Sequence, residues 1–179
     1  MPVFPEVSSL IALFNSCFKE SENTILVKGD DEPIYLPATV NNPYNQVIFA
    51  HGYFSSALHE ISHWCIAGKE RRKKVDFGYW YEPDGRSIEQ QQAFETVEIK
   101  PQALEWIFSL VSGIKFNLSA DNLGGEVSPT ADLFAQNVRL QALSYLSHGL
   151  PSNAAQFTDA LITHFGTRDQ LVPDAFELH

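Results

Sequence analysis

His59, Glu60 and His63 stand in the order H-E-x-x-H. Residues four apart lie one turn apart on the same helix face, so these two imidazoles can reach one metal ion. Glu60 projects to a neighbouring position, close enough to act on a water bound to that ion. Two helix-borne imidazoles make an incomplete site, and a third ligand must come from elsewhere. His51, Glu70, Glu95 and Glu98 are the candidates. Glu70 sits past the helix end within a basic run. His51 lies at a strand end, a common place for a ligand. Gln91, Glu95, Glu98 and Gln102 make a polar stripe at helical spacing, which by itself reads as a solvated face. Glu98 stands apart because Pro101 follows it. Pro101 has no N–H for the Val97 carbonyl, so the helix is expected to break or bend beside Glu98. The residues favour Glu98, with His51 as the alternative.

Two histidines and one carboxylate leave open coordination positions, and two chemistries fit them. With zinc, a bound water is activated for hydrolysis and Glu60 is the general base, as in a metallopeptidase. With Fe(II), the open positions serve O2 and substrate, as in non-haem oxygenases. Imidazole suits both metals, so the ligand set alone leaves the choice open.

Three other stretches carry charge or aromatic character. Lys69 to Lys74 (KERRKK) holds five of the chain's twelve cationic residues and a net +4. Such runs are usually solvated, but Arg71, Arg72 and Lys73 directly after the metal helix also suit docking of an acidic macromolecule. Gly29 to Pro33 (GDDEP) has three consecutive carboxylates, fit for a turn or for a cationic substrate group. Phe77 to Tyr81 (FGYWY) reads as a strand, with Gly78 permitting close approach.

The elements that must position these residues follow from the pattern. Apolar residues at helical spacing predict a helix over Pro5–Glu20. Thr24–Lys28 and Gln46–Ala50 read as strands, with a few extended residues between Gly29 and Pro37. The H-E-x-x-H helix is expected to start at a Ser55 or Ser56 cap and to stop at a left-handed Gly68. Val75–Tyr81 reads as a further strand, and Pro83-Asp84-Gly85 as a turn. Ser87–Ile99 with Ser87 as cap, Ala103–Val111, Pro129–Leu146 and Ser152–Phe165 read as helices. The sum is an α+β fold, a small mixed sheet packed on several helices with the metal site on a central helix. One domain over 1–179 is expected, its tail loose from about residue 167.

Composition limits the alternatives. The chain has 179 residues, 44% hydrophobic, with 13 Phe, 6 Tyr and 3 Trp, which is too apolar for a disordered chain. Its net charge of −10 argues against nucleic-acid binding. No apolar run approaches the ~20 residues of a membrane span. The first residues lack the basic start of a secretory signal, and two cysteines make no disulfide scaffold, so a cytoplasmic protein is expected. Nothing fixes an oligomeric state.

GDDEPIYLPA, VIFAHGYFSSALHEISHWCIAGKERRKKVDFGYWYEPDGR, FETVEIKPQALEW and SADNLGGE together resemble the bacterial elongation factor P hydroxylase family. The resemblance runs from about Ile25 to Glu126, more weakly to about Phe165. It implies metal-dependent hydroxylation of a lysine of elongation factor P that has first been lysylated, with one oxygen atom from O2 entering a C–H bond. It also implies a metal held by two His and one Glu, which by position are His59, His63 and Glu98. On that reading Asp30, Asp31 and Asp76 are expected to hold the ammonium groups of the substrate side chain. The basic stretch would meet the acidic surface of the partner. There is no glycine fingerprint for a dinucleotide and no H-x-D pair of the 2-oxoglutarate oxygenases, so no electron donor is readable.

Overall fold

The computed structural model describes residues 5–77, 84–120 and 128–178. Leu10, Phe14 and Phe18 recur every four residues and are buried along one side of α1 (Val7–Phe18). Three short strands follow: β1 (Thr24–Lys28), β2 (Ile34–Leu36) and β3 (Asn45–Phe49). β3 is central, parallel to β1 from Thr24↔Asn45 to Lys28↔Phe49 and antiparallel to β2 from Ile34↔Ile48 to Leu36↔Gln46. The sheet is therefore mixed, as expected. At its end Gly29 donates its N–H to the Phe49 carbonyl at 2.9 Å. A Cβ there would sit 2.4 Å from Ile48 Cγ2, so only glycine fits.

His51 and Gly52 both have positive φ, 58° and 68°, and turn the chain from β3 into α2 (Phe54–Ile66). The expected start of α2 and the backbone geometry at its end need correcting. Its N-cap is Tyr53, with no side-chain cap bond, and Ser55 and Ser56 lie inside the first turn. Its end comes at Ile66, because Ala67 swings to an extended ψ of 125°, and Gly68 has no positive φ.

The helix after Ser87 differs more from expectation. Ser87 caps it through a reciprocal bond with Gln90, as a capping box does. The helix, α3, then runs unbroken through Pro101 from Ile88 to Val111. The acceptor that Pro101 leaves without a donor belongs to Val97, an exposed residue, where water can serve it. Buried Leu104, Ile107 and Phe108 hold the second half of α3 in the core. That burial outweighs the ~3 kcal/mol that an interior proline costs. α4 (Ala131–His148) and α5 (Ser152–Phe165) lie close to their expected ranges.

One aromatic cluster ties the helices together. Phe14, Phe18, Trp64 and Phe157 pack with ring centroids 4.8–6.2 Å apart, and Phe108 of α3 lies 5.3 Å from Phe157. The stretch after 167 is not loose. It forms short 3-10 turns at Arg168–Gln170 and Pro173–Ala175. Phe176 is fully buried beside Trp106, and its carbonyl accepts from Arg139 Nε at 2.7 Å. A lone aromatic with no period around it gave no sequence sign of this docking.

Of the strand expected at Val75–Tyr81, the part from residue 78 onward lies outside the described residues. Asp76 makes a single antiparallel bridge to Tyr35. The preceding basic run is a 3-10 turn, Arg71–Lys73, rather than a freely solvated segment. Arg71 pairs with the Asp76 carboxylate, and Lys73 Nζ is 2.6 Å from Glu70. Arg72 lies over the Trp64 ring, 4.3 Å from its centroid, and donates to the Trp64 carbonyl at 2.6 Å. Reversal of Arg72 to Glu is therefore expected to cost about 2 kcal/mol of stability, from the lost cation–π contact and charged hydrogen bond. Thermal unfolding measures this, and an unchanged midpoint would show Arg72 to be a bystander.

Candidate metal centre

α2 packs along α3, and their contact brings three of the expected ligands together. His63 Nε2 lies 3.0 Å from Glu98 Oε1, and His59 Nε2 lies 3.7 Å from Glu98 Oε2. The two Nε2 atoms are 3.1 Å apart. Two nitrogens each about 2.1 Å from one ion are roughly 3 Å apart when they meet it at a right angle. The spacing therefore suits two adjacent positions on one metal. His59, His63 and Glu98 form the one group of this kind among the described residues, with ligand atoms within 4.8 Å of one another. His51 is not part of it. That residue makes the turn into α2, its N–H bonded to the Asp30 carbonyl at 2.7 Å.

Glu98 arrives for a different reason from the one the sequence suggested. α3 does not break beside it. The polar stripe that it belongs to faces inward rather than to solvent: Gln91, Glu95, Glu98 and Gln102 are all at most 4% exposed. Burying four polar side chains is costly unless each finds partners. Gln102 exchanges bonds with the Ser119 backbone at 2.6 and 3.0 Å and donates to Glu98 Oε2 at 3.3 Å. Gln91 donates to the Ala120 carbonyl at 2.8 Å. Glu95 accepts from Thr130 at 2.8 Å, which occupies it away from the histidines. The stripe clamps the segment after α3 and steadies Glu98.

The stripe continues past Pro101 to Glu105 and Ser109, both buried. Glu105 Oε2 lies 2.8 Å from His59 Nδ1. Sequence reasoning missed this residue because the expected break at Pro101 ended the stripe early. The spacing 91, 95, 98, 102, 105, 109 was there to be read.

Charge completes the description. Glu60, Glu98 and Glu105 surround two imidazoles, so the cluster is short of positive charge. Burial would lower His59, but the carboxylates of Glu105, Glu98 and Glu60 outweigh it and lift the ring to about 10. Burial would raise Glu98, but His63, His59 and the Gln102 amide hold it down to about 2. Burial raises Glu60 against the pull of both imidazoles, with Glu98 and Glu105 pushing the same way as burial. A divalent cation between the Nε2 atoms and Glu98 relieves this imbalance, so the donor set fits such an ion.

Two spaces meet at Glu60. A cleft of about 400 Å³ opens over His59, Glu60 and Glu105, with Asp31, Ser55 and Lys115 among its lining. A small cavity of about 30 Å³ on the other side is lined by Glu60, His63, Tyr35, Arg71, Arg72 and Asp76. Of the expected substrate carboxylates, Asp31 is exposed and lines the cleft. Asp30 is exposed beside it. Asp76 is paired with Arg71 and lines the small cavity instead of the cleft.

Comparison with known proteins gives the chain its relatives. A relative from Haemophilus influenzae, named elongation factor P lysine hydroxylase, is 54% identical over 166 residues, 93% of each chain. Residues 13–176 match the family described as elongation factor P hydroxylase, a longer stretch than the sequence resemblance covered. That match contains α2, α3 and all three converging side chains, and it extends through the docked Phe176. With nine-tenths of its length matched, this chain belongs to the elongation factor P hydroxylase family.

Proposed function

We propose that this chain hydroxylates a lysine side chain of elongation factor P, after lysylation of that lysine, and does so in the cytoplasm as an Fe(II)-dependent oxygenase. The observation that carries the reading is the convergence of His59, His63 and Glu98, with His59 also lining an open cleft. A bound Fe(II) supplies O2 activation at positions that the three ligands leave open. One oxygen atom enters a C–H bond of the substrate. The other leaves as water, with two electrons and two protons from an external reductant.

The chain's own residues do the rest. His59 and His63 are fixed one turn apart by α2, and Glu98 is held by Gln102. The cleft carries Asp31, Glu60 and Glu105 against one lysine, Lys115, and this balance favours a cationic side chain. Asp31, with Asp30 beside it, suits the distal ammonium of a lysylated lysine. Docking of the acidic partner falls to the basic run, where Lys69, Lys73 and Lys74 are exposed and Arg71 is half-buried, while Arg72 is held against Trp64.

Glu60 separates this reading from zinc-dependent peptide hydrolysis. In a hydrolase it would deprotonate the attacking water, and Glu60→Gln would remove all turnover. In a hydroxylase no water attacks, and Glu60 acts by hydrogen bonding at the cleft. Glu60→Gln is expected to keep its metal and to retain part of its hydroxylation, on the order of one-tenth. Peptide cleavage by the wild type that Glu60→Gln abolishes would contradict the proposal.

A further inference from the structure

Glu105 lies outside the three expected ligands, yet it is 7% exposed and aimed at the metal helix. Its Oε2 sits 2.8 Å from His59 Nδ1. This nitrogen is on the opposite edge of the imidazole from Nε2, so Glu105 cannot share the ion that Nε2 would bind. An ionised carboxylate only accepts hydrogen bonds. The proton in this contact therefore belongs to Nδ1, and a neutral His59 then carries its lone pair on Nε2. That lone pair points to where His63 Nε2 and Glu98 lie, 3.1 and 3.7 Å away. The opposite tautomer would place a hydrogen in the middle of the ligand group and a bare nitrogen against a carboxylate.

The fold holds Glu105 to this task. It stands seven residues after Glu98, two turns along α3, on the same inward stripe. Seven residues further along α3 than one ligand, it contacts the other: Glu98 bonds His63, and Glu105 bonds His59. One helix thus bonds the Nδ1 edge of His59 through Glu105 and sets Glu98 3.7 Å from its Nε2 edge. The continuity of α3 through Pro101 makes this register possible, since a break there would rotate Glu105 away from the Glu98 face.

We propose that Glu105 is a positioning residue of the metal centre, selecting the Nδ1-protonated tautomer of His59 and raising the basicity of its Nε2. The inference rests on the reading of His59, His63 and Glu98 as ligands. Partners of this kind are worth about 10- to 100-fold in metal affinity.

The test uses full-length wild type, Glu105→Gln and Glu105→Ala, stripped with chelator and titrated with Zn(II) as a diamagnetic probe. Affinity is measured by calorimetry, and the histidine tautomers by nitrogen-15 NMR. Wild type is expected to show His59 protonated at Nδ1 and metal-bound at Nε2. Glu105→Ala is expected to bind about 100-fold more weakly. Glu105→Gln, with the same shape but no charge, is expected to bind at least about tenfold more weakly, and it serves as the test if the alanine variant fails to fold. A merely structural role would lower the unfolding midpoint without moving affinity or tautomer. Affinity within twofold of wild type in Glu105→Gln would overturn the proposal while leaving the metal centre standing. Failure of wild type to bind the ion would overturn both.

Discussion

Replacement of His63 by alanine is expected to reduce the protein from one bound divalent ion per chain to almost none. His59 and Glu98 would remain, 3.7 Å apart, and two ligands hold a divalent ion weakly. The loss in affinity should exceed the ~100-fold that removal of an outer partner costs. Hydroxylation should vanish with the metal. The fold should survive, because the His63 side chain is 15% exposed and only partly in the core. Metal analysis after dialysis checks the first point and circular dichroism the second. A stoichiometric ion on His63→Ala would show that the ligand set is wrong. Glu98→Gln is a useful companion, since it keeps the shape of the stripe while removing the charge.

The second large effect concerns the frame rather than the site. Phe157 on α5 touches Phe14 and Phe18 of α1 and Phe108 of α3, with centroids 5.8, 6.2 and 5.3 Å away. It is fully buried. Phe157→Ala removes the shared surface of three helices and leaves a cavity between them. The expected cost is about 3 to 5 kcal/mol. For a chain of this length that lowers the melting temperature by roughly 10 °C. The aromatic cluster lies on the side of α2 that carries Trp64, so the folded variant should still bind metal. A loss below about 1 kcal/mol would mean that α5 is not packed as described.

Much of this architecture was legible because it rests on local periodicity. Leu10, Phe14 and Phe18 announce α1, and the i,i+4 pair of His59 and His63 announces the metal face of α2. Ser152–Phe165 has both limits marked by turn residues, Pro151 before and Gly166 after, and the helix has those bounds. What failed was reasoning that gave a single residue authority over its surroundings. Pro101 was expected to break or bend α3, but the burial of Leu104, Ile107 and Phe108 keeps the helix continuous through it. Gly68 does follow the C-cap of α2 as expected, but it lacks the left-handed conformation, because Ala67 has already turned the chain out of the helix. The polar stripe of α3 looked like a solvent face because a sequence does not reveal which polar groups will find buried partners. Arg72 looked like a solvated charge because its partner, the Trp64 carbonyl, is a backbone atom on another element. The family resemblance supplied what geometry could not, namely the substrate.

That substrate is also where the account meets its most direct test. Purified metal-loaded protein is incubated with lysylated elongation factor P, a reductant and isotopically heavy O2, and the factor is weighed as an intact protein and as peptides. The lysylated peptide is expected to gain one oxygen atom, this atom to be the heavy isotope, and no gain to occur with His63→Ala. A factor of unchanged mass, an oxygen drawn from water, or a cleaved chain would contradict it.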